Sequence, residues 1–144
     1  MSLSVDVFSQ AEVVIDQFYL ALSNKDLVAA RACCSPAVRF WHSFDGVVQD
    51  LDQAALGWQG LFAHFPENRV IDVRREALVD GLVQRHLFLL RDKEGSLKGK
   101  ACCIFVKVQN GLLTRLDEYI DLSRDLTLAD DARYTLGLPE VGMI

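Results

Sequence analysis

Two residues of this sequence combine a side chain suited to proton transfer with neighbours that predict burial. His42 lies between Phe40 and Phe44 in one alternating segment. Glu118 lies between two aliphatic residues in another. Alternation of apolar side chains indicates strands with one buried face, and both ionisable groups would lie on that face. An imidazole titrates near neutral pH and can exchange protons with a carboxylate, so we predict His42 and Glu118 as catalytic acid–base residues.

The second half of the sequence predicts four antiparallel strands, over 70–79, 82–91, 97–108 and 112–122. Asp80-Gly81 and Asn110-Gly111 are strong signals for two-residue hairpin turns. Turns of this length fix the register of the strands that they join. Cross-strand neighbours can therefore be predicted from the turns.

The predicted registers bring four polar side chains into a row across one otherwise apolar face: Arg75, His86, Cys103 and Glu118. An unpaired charge is costly to bury, so such a row is either paired or lines a wet cavity. Desolvation would raise the pKa of Glu118, whereas Arg75 or a protonated His86 close to it would lower that pKa. The full predicted pocket consists of Tyr19, Phe40, Arg75, Gln84, His86, Phe88, Cys103, Phe105, Leu116 and Ile120.

The first third of the sequence predicts helices that pack against this sheet. Ser9 and Glu12 form a capping-box pattern at the start of the first helix. Asp26 and Asp50 are N-cap candidates for a second helix and for a third over 51–64, with a strand over 38–44 between them. Helices followed by a run of strands indicate an α+β fold.

The length of 144 residues fits one domain, which we predict over 1–144 with a core at about 9–122. The remaining tail, 123–144, is predicted to hold a short helix near 128–134. No linker or repeat divides the sequence.

Composition limits the partners and the location that we expect. The net charge of −5 argues against nucleic acid or an anionic membrane as the main partner. No apolar run approaches the roughly 18 residues of a membrane-spanning helix, and residues 1–10 lack the basic and apolar regions of a signal peptide. The four cysteines form two vicinal pairs without the spacing of zinc or redox sites, so we predict reduced thiols in the cytoplasm, no metal and no cofactor.

Two parts of the sequence resemble SnoaL-like and ketosteroid isomerase-like proteins of the nuclear transport factor 2-like superfamily. The first covers 18–26 and 33–42, of which the second stretch reads CCSPAVRFWH. The other, GLLTRLDEYID over 111–121, is similar to the final strand of these proteins. The resemblance implies a cone-shaped α+β barrel, in which N-terminal helices wrap a curved antiparallel sheet around a pocket. It also implies a homodimer that pairs through the outer face of the sheet.

The resemblance further suggests roles for individual residues. In ketosteroid isomerases a first-strand Asp moves the proton, and His42 occupies that position. The helix-1 Tyr of their oxyanion hole falls one residue before Tyr19, and their oxyanion Asp falls near Cys103. In SnoaL-like polyketide cyclases a last-strand Asp acts with a nearby His, and Glu118 with His42 or His86 is similar to that pair.

The limonene epoxide hydrolases are a further branch, which uses a last-strand Asp together with an Arg and an Asp two residues apart. Glu118 and Arg85 match the first two of these groups, but Leu87 stands at the position of the second Asp. The match to the SnoaL-like cyclases is therefore the closer one.

These observations lead to one expectation and two alternatives. We expect a cofactor-independent acid–base enzyme, an isomerase, cyclase or hydrolase, that acts on a small apolar molecule. The first alternative is a non-catalytic module of the same fold that binds such a molecule. The second is a dimerisation module, in which Arg75, His86 and Glu118 form a closed ion-pair network in a pocket too small for a ligand.

Overall fold

The computed structural model describes the backbone of residues 4–126 and the side chains of residues 7–126. The elements in chain order are α1 (Ser4–Ser23), α2 (Leu27–Ala32), β1 (Cys34–His42), β2 (Val48–Gln49), α3 (Leu51–His64), β3 (Glu67–Leu78), β4 (Gly81–Arg91), β5 (Leu97–Gln109) and β6 (Leu112–Ile120). The tail helix predicted near 128–134 lies outside the described residues.

Capping side chains explain where two of the helices begin. The Asp26 carboxylate accepts a hydrogen bond from the backbone N–H of Ala29 at the start of α2. Asp50 and Gln53 form a reciprocal capping box at the start of α3, whose predicted bounds are confirmed. The first helix begins before the predicted cap, so Ser9 lies inside α1.

The six strands form one curved sheet in the order β2-β1-β6-β5-β4-β3. After β1 the chain crosses through α3 to the far edge at β3, and an antiparallel meander then returns β6 to the side of β1. Because β1 and β6 run in the same direction, the sheet is mixed, which corrects the antiparallel prediction. The sheet is also open, with β2 and β3 at its edges, so it does not close into a barrel.

The core lies between the inner face of the sheet and the helices. Ile15 and Phe18 of α1 and Trp58 of α3 pack in one buried cluster with inward side chains of the sheet, among them Phe40 and Leu116. Phe18, Phe40 and Trp58 are in mutual ring contact, with centroid separations of 5.3 to 6.2 Å. This aromatic cluster fixes the helices over one end of the sheet.

The β3–β4 turn lies one residue earlier than the sequence predicts. Leu78 pairs with Gly81, so Val79 and Asp80 form the turn and Gly81 belongs to β4. A Cβ at Gly81 would lie 1.8 Å from the carbonyl oxygen of Val106 on β5. Gly81 is therefore required because β4 and β5 lie too close together at this point for a side chain. Because it follows Asp80, it resembles the glycine of an Asp-Gly turn in the sequence.

The β5–β6 turn lies where the sequence predicts it, but the register changes beyond it. Asn110 and Gly111 both have positive φ, as the predicted turn requires. The pairing of β5 with β6 then shifts between Lys107 and Val108. Beyond this irregularity every residue of β5 faces the side opposite to the prediction.

Candidate functional site

A cavity of about 430 Å³ lies between the inner face of the sheet and helices α1 and α3. Most of its wall is apolar or aromatic, with Phe18 and Tyr19 from α1, Trp58 from α3 and Phe40 from β1. A few polar side chains interrupt this wall: His42, Asp45, Gln49, His64 and Glu118. A mostly apolar wall with a few polar groups is the usual composition of a small-molecule site.

His42 and Glu118 meet inside this cavity. They are directly paired residues of the parallel strands β1 and β6, so both side chains lie on the inner face. The His42 Nε2 atom is 3.6 Å from the Glu118 Oε1 atom, slightly beyond hydrogen-bonding distance. Their side chains are 21% and 14% exposed, respectively, so the pair is shielded but remains open to the cavity.

Backbone hydrogen bonds hold the two strands together just past this pair. The backbone N–H of Ser43 donates to the carbonyl oxygen of Glu118 at 2.9 Å. The Ser43 hydroxyl accepts from the N–H of Ile120 at 3.0 Å and lies 3.1 Å from the carbonyl oxygen of the same residue. The Cα positions of His42 and Glu118 are therefore fixed by the sheet itself.

Burial changes the proton affinity of both groups. Desolvation raises the pKa of Glu118 to about 7. Burial also lowers the pKa of His42, and the carboxylate of Asp45 partly opposes that change. Near pH 7 the pair therefore consists of a half-protonated carboxyl group and a neutral imidazole, which share the cavity as a coupled acid and base.

Tyr19 adds a phenol to the same cavity. Burial raises its pKa well above the ordinary value, and the charge of Glu118 and the Cys102 thiol add to this effect. The ring is 4% exposed and packs edge-on against His86 and Phe88, at centroid distances of 5.3 and 6.3 Å. Tyr19 therefore keeps its proton at any physiological pH.

A second polar cluster of the inner face consists of paired groups. The Arg75 guanidinium, with 8% of its side chain exposed, forms ion pairs with Asp16 and with Glu12 of α1. Its Nε atom also donates to the Oε1 atom of Gln84 at 2.8 Å. Arg75 therefore binds helix carboxylates, and the ion pair with Glu118 that a dimerisation module would need is not formed.

The tautomer of His86 follows from this cluster. Because the Gln84 oxygen accepts from Arg75, the Gln84 Nε2 group must donate to the His86 Nδ1 atom, 3.0 Å away. The proton of His86 is then on Nε2, which has no hydrogen-bond partner among the described residues. Burial, followed by the charge of Arg75, lowers the pKa of His86 to about 3, so its ring stays neutral.

Neither a protein-family profile nor a curated protein sequence matches this chain, but solved structures do. A nuclear transport factor 2-like protein of unknown function from Burkholderia pseudomallei is 16% identical, with a TM-score of 0.68, over 81% of this chain and 94% of its own. The chain has the nuclear transport factor 2-like fold.

Two further structures share the nuclear transport factor 2-like fold with this chain. A proposed polyketide cyclase from Xanthomonas campestris pv. campestris is 17% identical over 80% of this chain and 93% of its own, with a TM-score of 0.68. A protein with a ketosteroid isomerase-like fold from Catenulispora acidiphila, in complex with trimethylamine, is 11% identical over 76% and 86%, also with a TM-score of 0.68. At these identities the likeness establishes the fold, and the chemistry must be argued from the cavity.

Within this nuclear transport factor 2-like fold, five of the predicted site residues line the cavity: Tyr19, Phe40, His42, Leu116 and Glu118. Five others lie on the inner face but outside the cavity lining: Arg75, Gln84, His86, Phe88 and Ile120. The ring of Tyr19 packs on His86 and Phe88. Tyr19 lines the cavity, whereas the two residues beneath it do not. Arg75 and Gln84 belong to the paired cluster described above.

The two remaining predicted residues, Cys103 and Phe105, are on the outer face of the sheet, which corrects the prediction. The register change skips Thr114 of β6, between Leu113 and Arg115, so Glu118 and Ile120 pair with Ile104 and Cys102 instead of with Cys103 and Ala101. Cys102 and Ile104 are therefore the buried residues of β5. Phe105 is 42% exposed and contacts Tyr119 on the outer face, at a centroid distance of 5.9 Å.

The wall that α3 provides was missed from sequence. Ala54, Gly57, Trp58 and Leu61 line the cavity at the i, i+3, i+4, i+7 spacing of one helix face. Gly57 is exposed at the border of the cavity, and a Cβ there would meet no atom within 4 Å. The signal in the sequence that could have predicted this wall is one helix face of apolar residues that includes a glycine.

No group of three or more His, Cys, Asp or Glu side chains in the described part of the chain is arranged to hold a metal ion. No helix within residues 4–126 is both long enough and apolar enough to cross a membrane.

Proposed function

We propose that this chain is a cofactor-independent acid–base enzyme of the isomerase, cyclase or hydrolase type, acting on a small, largely apolar molecule. The observation that carries the proposal is the pairing of His42 with Glu118, 3.6 Å apart, in the wall of an apolar cavity. The similarity in fold to a proposed polyketide cyclase supports a reaction of this class.

The electrostatics of the pair suit proton transfer. In its ionised form Glu118 removes a proton from a bound substrate, and its raised pKa makes it a stronger base than an exposed carboxylate. The neutral imidazole of His42 lies close enough to take up that proton or to orient the substrate. Tyr19 remains a hydrogen-bond donor toward negative charge that develops on the substrate.

Proton exchange in heavy water tests this proposal without knowledge of the natural substrate. We expect the protein to speed exchange of the protons next to the carbonyl group of small cyclic ketones, as followed by NMR. The rate should rise with pH through about 7 as Glu118 ionises. Glu118→Gln should lower it by about 100-fold or more, and His42→Ala by about 10-fold or more.

A matched control is Glu76→Gln, because Glu76 is an exposed carboxylate paired with Arg85 away from the cavity. Its exchange rate should equal that of the wild type. Full activity in both cavity variants would disprove catalysis by this pair.

A non-catalytic binding module is the second candidate function. The predominantly apolar wall and the cavity volume of about 430 Å³ favour it equally. In that case small apolar ligands would raise the melting temperature while the protein gave no exchange above the buffer rate.

We also propose that the protein is a homodimer formed through the outer face of the sheet. Tyr119 is 48% exposed there and contacts Trp41 and Phe105, so an aromatic patch faces outward. Tyr119→Glu should convert a dimer into a monomer of 16.1 kDa in analytical ultracentrifugation, whereas Val28→Glu, at an 80% exposed position of α2, should leave the dimer intact. A wild-type monomer would contradict the proposal.

Two broader expectations remain proposals. All four cysteines are free thiols, three of them buried, which supports a reducing compartment such as the cytoplasm. A single domain over 1–144 is supported by the shared core of the described helices and strands.

A further inference from the structure

The charges around the cavity are of one sign. Its lining contains two carboxyl groups, those of Glu118 and Asp45, and none of the described lining residues is lysine or arginine. An anionic ligand would find no countercharge there. A cation would find a carboxylate inside a poorly solvated space, where charge–charge attraction is stronger than in water.

Cationic side chains near the inner face are already neutralised elsewhere. Arg75 is held by Asp16 and Glu12. Lys100, with 8% of its side chain exposed, lies 2.6 Å from a carboxylate oxygen of Asp125. Neither lines the cavity, and no other lysine or arginine of residues 7–126 does, so the two carboxyl groups of the described lining have no cationic side chain beside them in the cavity wall.

Aromatic rings form the rest of the environment that a ligand would meet. Six of the lining residues are aromatic: Phe18, Tyr19, Phe40, Phe44, Trp58 and Phe65. Trp58 contacts Phe18 and Phe40 edge-to-face, at interplanar angles of 71° and 84°, so the rings of this cluster are oriented in different directions. Aromatic faces attract ammonium groups through their quadrupole.

We infer that the cavity selects a small organic cation, an ammonium group on an apolar body, over a neutral molecule of the same shape. The inference deepens the proposed function because it names the substrate class of the same cavity. It does not require that His42 and Glu118 catalyse a reaction.

The preference should depend on pH through Glu118. The ionisable groups that face it are Tyr19 from α1, His42 from β1 and Cys102 from β5. All three are neutral at pH 7, because burial raises the pKa of Tyr19 and Cys102 and lowers the pKa of His42. The remaining lining groups are Asp45 beside His42 and His64 on α3. Ionisation of Glu118, with a pKa of about 7, therefore adds a negative charge to the cavity as pH rises through neutrality.

Choline and 3,3-dimethylbutanol test the inference, because they have the same shape and differ only in a charged nitrogen against a neutral carbon. Both are titrated into the purified full chain by calorimetry or NMR at pH 8 and pH 6. We expect choline to bind about tenfold more tightly than the alcohol at pH 8. This preference should shrink at pH 6, where Glu118 is mostly protonated, although the charge of choline is fixed.

Variants assign the effect to the cavity. Glu118→Gln should reduce the preference to about twofold, the share left to the aromatic rings, and remove its pH dependence. Asp45→Asn, at an exposed position of the lining, should reduce it by a smaller factor. Glu76→Gln changes the net charge equally but lies outside the cavity, so it should leave the preference unchanged.

The outcomes separate this inference from the proposed function. Equal or tighter binding of the alcohol, a preference that survives Glu118→Gln in full, or no binding of either probe would overturn it. Choline preference without ketone exchange would support a cation-binding module and contradict the enzyme. Ketone exchange with preference for the alcohol would support the enzyme and contradict the cation.

Discussion

Two polar clusters share the inner face of this sheet, and they differ in how their charges are compensated. Around Arg75 the guanidinium is surrounded by two carboxylates and an amide oxygen, so the buried charge is fully paired. Around Glu118 there is one imidazole at 3.6 Å and an apolar cavity. The Arg75 cluster joins α1 to the sheet, whereas the Glu118 cluster contains a carboxyl group that is about half protonated near pH 7. The side chains of Arg75 and Glu118 are similarly buried, at 8% and 14% exposed, so the two clusters differ in the number of charged partners and not in burial.

Removal of the Arg75 charge is expected to have the largest effect on stability. Arg75→Met leaves Asp16, Glu12 and Gln84 without their partner, so we expect a loss of about 3 kcal/mol or more in the free energy of unfolding. Denaturant titration followed by circular dichroism measures it. Arg85→Met removes an exposed partner of Glu76 and should cost less than about 1 kcal/mol. Equal losses in the two variants would mean that the Arg75 cluster has no special structural role.

The unpaired carboxyl group should make stability fall with rising pH. The pKa of Glu118 is about 7 in the folded protein and ordinarily 4.5, so the folded state binds the proton more tightly than the unfolded state. The favourable contribution is complete below pH 4.5 and is lost as pH rises through 7, by on the order of 3 kcal/mol.

Glu118→Gln isolates this effect, because His42 and His86 titrate in both proteins. The variant should gain stability relative to the wild type between pH 4.5 and pH 7, with a constant difference above that range. Stability curves that stay parallel over the whole range would show that Glu118 ionises in the folded protein as it does in water.

The smallest effect on stability is expected at the wall of the cavity that contains Glu118. Gly57→Leu places a side chain where a Cβ meets nothing within 4 Å. It should abolish ligand binding while stability stays equal or rises by about 0.5–1 kcal/mol, because glycine is a poor helix former. Gly57→Ala gains the same helix preference with little loss of volume and should keep binding. Binding retained in Gly57→Leu would move the ligand site away from α3.

The helices and the turn at Asn110 could be predicted because their signals are local. Asp50 and Gln53 cap α3 within four residues, and Asn110-Gly111 adopts the positive φ values for which these residue types are suited. His42 and Glu118 could be placed on an inner face because each lies between apolar neighbours in its own strand.

What the sequence left unpredicted depends on contacts between distant residues. Gly81 is needed for the approach of Val106, 25 positions away, and nothing next to it distinguishes that need from a turn. The register change between Lys107 and Val108 has no signal in the sequence. It places Cys102 on the inner face of the sheet, where Cys103 was predicted. The parallel pairing of β1 with β6 likewise requires the whole meander to be in place.

The pairing of β1 with β6 fixed by Ser43 has a consequence for how such a protein can diversify. His42 and Glu118 are held in place by hydrogen bonds between β1 and its neighbour β6, and α3 contributes none of these bonds. The opposite wall is a separate helix with vacant glycine positions. Substitutions on α3 can therefore reshape the cavity and change which molecules fit, while the spacing of His42 and Glu118 stays the same.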